Sequence, residues 1–364
     1  MRRVLLVGDY PPPYGGVSVQ VAALHHRLAA LGDTDVRVLD IGTRRRETRP
    51  GCLPVHGPVD FVSRILAHVR GGFIIHVHTN GHNLKSWLLT AVCVGAALAG
   101  GRRTIVSFGS GLMPPFLAAA RAPFRALARA STAGAGALIV RNERARSALV
   151  ELGVDPRKLV VLPGFYGVTD TEVGRVPQDV ARFTHDHRPL IGAIASPGPE
   201  YGIALLIDAA ARLRPRHPRL GVVLVGSGWL DGDCPRWMCS IGECGRPSLL
   251  AVMHALDVFV RPTYFDGDAS SVREALALGV RVVASDTDFR PEGVRRFPCG
   301  DPDALAAAIE AALTGPAVRA ASTSLPAVLS IYDALPLDRG TSGAQAAVPD
   351  AIAGSKAGQE LRIG

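Results

Sequence analysis

The chain has 364 residues, 48% of them hydrophobic and 20% charged, which is enough for two domains with their own cores and excludes a mainly disordered polymer. Its 40 Lys and Arg against 32 Asp and Glu give a net charge of +8, spread along the sequence rather than gathered in a tail. That balance favours anionic partners; no basic–aromatic module accompanies it, so nucleic acid is not an expected partner.

Met1-Arg2-Arg3 leads straight into a short apolar run, 4–7, too brief for a signal peptide. The longest apolar stretch, 88–100, falls short of the ~20 residues of a membrane span. Cysteines at 52, 93, 234, 239, 244 and 299 then read as reduced thiols, and a cytoplasmic protein is expected. The spacing of Cys234, Cys239 and Cys244 is not that of structural zinc.

Apolar runs at 3–7, 36–39, 73–78, 104–107, 137–140 and 159–162 alternate with helical patterns at 18–30, 84–99 and 118–130. Strand, helix, strand at this rhythm predicts βαβ units and a parallel sheet. The rhythm pauses over 164–188, and 168–188 is expected to be a linker. A second series follows, with strands at 190–195, 221–225, 258–260 and 280–284 and helices at 203–213, 247–255, 271–278 and 302–313. The predicted architecture is α/β: two doubly wound, Rossmann-like domains, 1–167 and 189–325, facing across a cleft, with a flexible tail over 341–364. In such sheets, ligands meet the loops that leave the carboxyl ends of the strands.

Those loops hold the candidate chemistry. After the first strand, Gly15-Gly16 either lets a ligand approach the backbone or serves only the dihedrals of a turn, and both readings stay open. The third strand ends in His76-Val77-His78-Thr79-Asn80. Alternation puts both histidines on one face, yet no cysteine pair or carboxylate completes a metal set, so a polar strand end is expected and no metal. Phe108-Gly109-Ser110 and Gly226-Ser227-Gly228 are further strand-to-turn steps able to hold an anion. The richest loop is 261–276, where Asp266 precedes a helix capped by Ser270 or Ser271 and Glu274 lies one turn inside it. Two carboxylates so placed can accept hydrogen bonds from sugar hydroxyls, with the first amides of the helix on a diphosphate. The plain alternative makes Asp266 a turn residue, Ser270 a cap and Glu274 a solvated helix residue.

Gly15-Gly16, the His-x-His strand end, and Asp266-x7-Glu274 followed by 275–286 (ALALGVRVVASD) resemble the retaining nucleotide-sugar glycosyltransferases of family 4. The resemblance runs to about residue 315 and is most specific over 258–286. It implies the two-domain GT-B fold and transfer of a sugar to an acceptor hydroxyl with retained anomeric configuration. It implies no cofactor and no metal, only the sugar nucleotide as co-substrate. The family's E-x7-E stands here as D-x7-E, one methylene shorter at the first position.

By the same resemblance Asp266 serves the donor sugar and Glu274 the ribose. Gly267, Ala269, Ser270 and Ser271 meet the diphosphate and hexose, while Gly226, Ser227 and Gly228 lie near the nucleotide. Gly15 and Gly16 line the junction of donor and acceptor, and His78, Asn80, Phe108 and Ser110 stand on the acceptor side. The acceptor is a glycan, a lipid-linked sugar or a small molecule.

Two departures accompany the resemblance. Tyr201 stands where the family carries a diphosphate-clamping Lys, whose companion Arg is missing, and Phe108 stands where a His is usual. Arg261 and Arg273 are near enough to compensate. The departures also admit a non-catalytic nucleotide-sugar-binding subunit, and the fold type admits a sugar-nucleotide epimerase. Finally, 115–130 places Arg121, Arg125 and Arg129 on one face of a helical pattern, which suggests peripheral contact with the inner face of the membrane.

Overall fold

The computed structural model describes residues 1–335, except Arg44, Thr48, 227–234, Asp288 and Ala321. The chain divides into two compact units, Gly167–Ser322 and the remainder on either side of it.

Unit 1 runs β1 (Arg2–Gly8), α1 (Gly16–Ala30), β2 (Thr34–Asp40), β3 (Cys52–Leu53), α2 (Pro58–Arg70), β4 (Ile74–Thr79), α3 (Leu84–Ala99), β5 (Thr104–Phe108), α4 (Met113–Ala119), α5 (Ala122–Ala133), β6 (Ala137–Val140), α6 (Glu143–Glu151) and β7 (Leu159–Val161). Its strands pair in the order β3-β2-β1-β4-β5-β6-β7, all parallel. The interior strand β1 shows why: Val4, Leu5, Leu6 and Val7 are all fully buried, the near-continuous apolar run of a strand covered on both faces. Asn83 and Asn142 begin α3 and α6 by accepting from the amides of Ser86 and Ala145.

Unit 2 runs α7 (Gln178–Asp186), β8 (Leu190–Ile194), α8 (Ile203–Leu213), β9 (Gly221–Val225), β10 (Met238–Ile241), α9 (Arg246–Ala255), β11 (Val258–Arg261), α10 (Ser270–Ala277), β12 (Arg281–Ser285), β13 (Val294–Phe297) and α11 (Pro302–Thr314). Its sheet is again parallel, β10-β9-β8-β11-β12-β13. That is the dinucleotide-fold order, which reverses between β8 and β11. Loops diverge at such a point and leave a crevice beyond the strand ends.

Three expectations change. Residues 168–188 are not a bare linker: α7 lies there, with Val180 fully buried and Phe183 stacked on His187 against the start of β9. The single helix expected over 118–130 is two. Ala120 and Arg121 are extended and Pro123 opens α5, because proline lacks the amide and its ring collides with the preceding turn. The chain also returns to unit 1 through α12 (Leu325–Ala334), whose Val328, Ile331 and Tyr332 bury against Val4, Leu6 and Leu24. The second unit therefore ends at Ser322, not at 325. The tail expected over 341–364 lies outside the described residues.

Candidate functional site

The loop leaving β11 carries Asp266 back over the end of the sheet. Its Oδ2 accepts three hydrogen bonds, from Arg290 Nη1 at 2.7 Å, Arg261 Nε at 3.2 Å and Thr263 Oγ1 at 3.3 Å. Its Oδ1 has no partner among the described residues. Burial pushes this carboxyl's pKa up, and the two guanidinium groups more than reverse that, leaving it below the ordinary value. Glu274 is not the solvated helix residue of the plain alternative. It is buried in α10, with Oε1 on Nη1 of Arg246 from α9 and Oε2 unpartnered among the described residues. Among the described residues each carboxylate is thus tethered through one oxygen, with the other left open.

Between them Asp268 has φ +143°, a conformation L-residues rarely adopt, with both its oxygens on Arg273 Nε at 2.9 and 3.2 Å. Backbone strain of this kind, about 1–3 kcal/mol, persists where surrounding contacts over-determine the chain. It turns the loop into α10, whose N-cap is Ala269; no side chain caps that helix. Arg273 is 7% exposed and committed to Asp268, so it does not compensate for the absent clamp. Arg261 keeps both Nη groups without a partner among the described residues. A cavity of about 700 Å³ opens beside this loop, lined by Tyr264 and Phe265 from it and by Glu200, Gly202 and Ile203 at the start of α8.

Gly226, at the end of β9, has φ +126°, and a Cβ there would meet the carbonyl oxygen of Ala195, so glycine is required by the fold itself. Ser227 and Gly228 lie outside the described residues. Gly15 and Gly16 are the opposite case. Gly15 has φ −139°, Gly16 opens α1, and an added Cβ would meet only Ser18 Oγ at 3.8 Å and nothing, respectively. The dihedral reading of this pair therefore fails, since neither packing nor backbone demands glycine there.

The histidines of β4 do share a face, with ring centroids 4.1 Å apart. His76 bonds Tyr332 Oη at 2.7 Å and Ser107 Oγ at 2.8 Å, while both ring nitrogens of His78 are buried without partners among the described residues. Burial, aided by the nearby Arg141 charge, pushes the His76 pKa down to about 3. Burial, His76 and Arg141 push His78 well below its ordinary value. His78 and Phe108 are each 2% exposed, the latter packed 5.1 Å from Trp87. Neither offers surface to an acceptor; Asn80 and Ser110 are half-buried at the strand ends. Among the described residues no cluster of His, Cys, Asp and Glu could hold a metal ion.

Residues 188–315 match the family described as Glycosyl transferases group 1. Unit 2 carries a group 1 glycosyltransferase domain. A phosphatidyl-myo-inositol mannosyltransferase of Mycolicibacterium smegmatis is 31% identical over 136 residues, a match that spans 34% of this chain and 35% of that protein. Sucrose-phosphate synthase from Thermosynechococcus elongatus superposes with a TM-score of 0.63 at 20% identity, covering 92% of this chain and 95% of that one. Anabaena HepE in complex with UDP and glucose superposes with a TM-score of 0.62 at 15% identity, covering 86% and 90%. At such identities the structural likeness establishes the fold alone, which is GT-B.

Within the glycosyltransferase domain, sequence reasoning missed Arg246 and Arg290. They lie 28 and 24 residues from the carboxylates they hold, and nothing in an arginine-rich chain marks them. Only the βαβ register, which brings the end of β12 beside the end of β11, could have found Arg290.

Proposed function

We propose that the chain transfers a sugar from a nucleoside-diphosphate sugar to an acceptor hydroxyl, with retention at the anomeric carbon. One observation carries this reading: Asp266 and Glu274, eight residues apart, each hold one anchored carboxylate oxygen and one without a partner among the described residues, around the start of α10. Asp266 Oδ1 takes donor-sugar hydroxyls and Glu274 Oε2 the ribose. The amides of Gly267, Ala269, Ser270 and Ser271 take phosphate oxygens, as helix starts favour anions. The protein's own arginines supply the positive charge, and the reading includes no metal. In unit 1 the unobstructed Gly15 and Gly16 serve the sugar and its acceptor.

The test is a thermal-shift panel of UDP-, GDP-, ADP- and dTDP-sugars with their diphosphates. A ligand at a hundred times its dissociation constant adds about 2.7 kcal/mol to the folded state. One base should give a clear shift, and product NMR with that donor should show the retained anomer; a silent panel overturns the proposal. Binding without turnover against any acceptor would favour a non-catalytic subunit, for which the buried Phe108 speaks. Product formed without an acceptor would favour an epimerase.

A lipid-linked acceptor at the membrane's inner face has one supporting feature. On α3, Leu84, Leu88 and Val92 are 53%, 48% and 37% exposed at helical spacing, an apolar stripe beside Lys85. The face first expected, 115–130, is less suited: its Phe116 and Phe124 pack inward and Arg125 bonds the Leu117 carbonyl. The name of the mannosyltransferase relative agrees with a lipid acceptor. Among the described residues no helix is long and apolar enough to cross a membrane.

A further inference from the structure

The β11 strand ends on Arg261. Arg261 Nε is fixed on Asp266 Oδ2, and its Cζ lies 5.8 Å from the centroid of the Tyr201 ring. Tyr201 comes from the loop after β8, which is tied to the loop after β11 by the Tyr264 amide donating to the Glu200 carbonyl at 2.9 Å. The guanidinium therefore sits where the sheet order reverses, supported on one face and anchored at one nitrogen. Its side chain is 15% exposed, and Nη1 and Nη2 have no partner among the described residues. Asp266 faces both Arg261 and Arg290, whereas Asp268 meets Arg273, and Arg246 meets Glu274 and also feels the charge of Glu172. Arg290 is 1% exposed at its side chain and spends its donors on Asp266, Ser285 and Thr263, so of the two guanidinium groups on Asp266 it is Arg261 that keeps donors open to a ligand among the described residues.

We propose that Arg261, seated on Tyr201, is the cation that receives the donor's diphosphate, in particular the phosphate that leaves. The assignment rests on the nucleoside-diphosphate-sugar reading above. When the bond from the anomeric carbon to the β-phosphate oxygen breaks, the bonding pair stays on that oxygen. The acceptor oxygen takes its place on the carbon and gives its proton to the phosphate. Charge grows on the phosphate before that proton arrives, and a fixed guanidinium stabilises it without reorganising. A planar fork suits two phosphate oxygens at once, which an ammonium cannot match. Tyr201 in this arrangement is a positioning residue that orients the fork.

The experiment is calorimetric titration of the full chain with UDP, GDP, ADP and dTDP and with the matching monophosphates. In the wild type the preferred base binds more tightly as diphosphate than as monophosphate. Arg261→Gln should reduce that diphosphate-to-monophosphate ratio at least tenfold while the monophosphate affinity stays within threefold; Arg261→Lys should lose less. Arg290 still holds Asp266 in both variants, and structural damage would weaken both ligands alike and leave the ratio unchanged. An unchanged ratio overturns the assignment. A wild type that binds none of the diphosphates overturns the functional reading, and with it the assignment.

Discussion

Glu274 and Arg246 form a buried ion pair between two helices, with side chains 4% and 16% exposed. The pair fixes the carboxylate beside α9 and leaves its second oxygen without a partner among the described residues, so one contact serves both the packing of α10 and the candidate ribose site. Removing one member of a buried pair costs about 3–5 kcal/mol, because the other charge is left without compensation. Glu274→Ala should therefore lower unfolding free energy by about 3 kcal/mol in urea and abolish nucleotide binding by the surviving folded protein. Nucleotide affinity equal to wild type would show that Glu274 is structural only.

Gly16 separates stability from function in the other direction. Nothing lies within 4 Å of a Cβ added there, and the residue already opens α1. Gly16→Ala should leave stability unchanged or raise it by up to about 1 kcal/mol. Sugar transfer should nonetheless fall tenfold or more, since the methyl group occupies space kept for substrate. A loss in melting temperature would mean that the protein itself needs the glycine.

The alternation of strand and helix was legible because parallel strands buried on both faces read as unbroken apolar runs, and nearly all those expected fall within two residues of the observed ends. α7 was not legible. Of its nine residues only Val180 is buried, too little to show a helical stripe against Pro177 and the polar residues around His187. α12 folds against a unit that begins more than 300 residues earlier, with Asp333 paired to Arg2, and no local pattern announces such a return. At the site the carboxylates were visible and their arginines were not. A motif shows in consecutive residues, whereas its electrostatic support comes from neighbouring strands.

The paired histidines of β4 make folding pH-dependent. Both titrate far below the 6.5 of a free imidazole, chiefly through burial. Above that value both states hold them neutral and nothing changes with pH. As pH falls below it the unfolded chain takes up protons that the folded one refuses, so stability drops by about 1.4 kcal/mol per pH unit for each histidine. Urea midpoints should thus fall steadily from pH 7 to pH 5. His25, also depressed by burial, adds to the same slope, so His78→Leu, which removes two nitrogens unpartnered among the described residues, should take away one histidine's share of it with little loss at pH 7; an unaltered slope would place the titrating groups elsewhere.

Asp266 is more than a shortened glutamate. Three donors converge on its Oδ2 in a space where its side chain is 7% exposed and that of Arg290 1%. The depressed carboxyl contributes stability fully above its unfolded value near 4, and that contribution is lost as pH falls through the lower folded value. Asp266→Asn leaves two guanidinium groups without their shared anion and should cost about 3–5 kcal/mol. Asp266→Glu keeps the charge but drives an extra methylene into Arg290, which overpacking data place at about 1–3 kcal/mol. Stability should fall and turnover should not improve, although glutamate is the residue of the resembling family. A glutamate variant as stable as wild type and faster would show that the arginines follow the carboxylate rather than fix it.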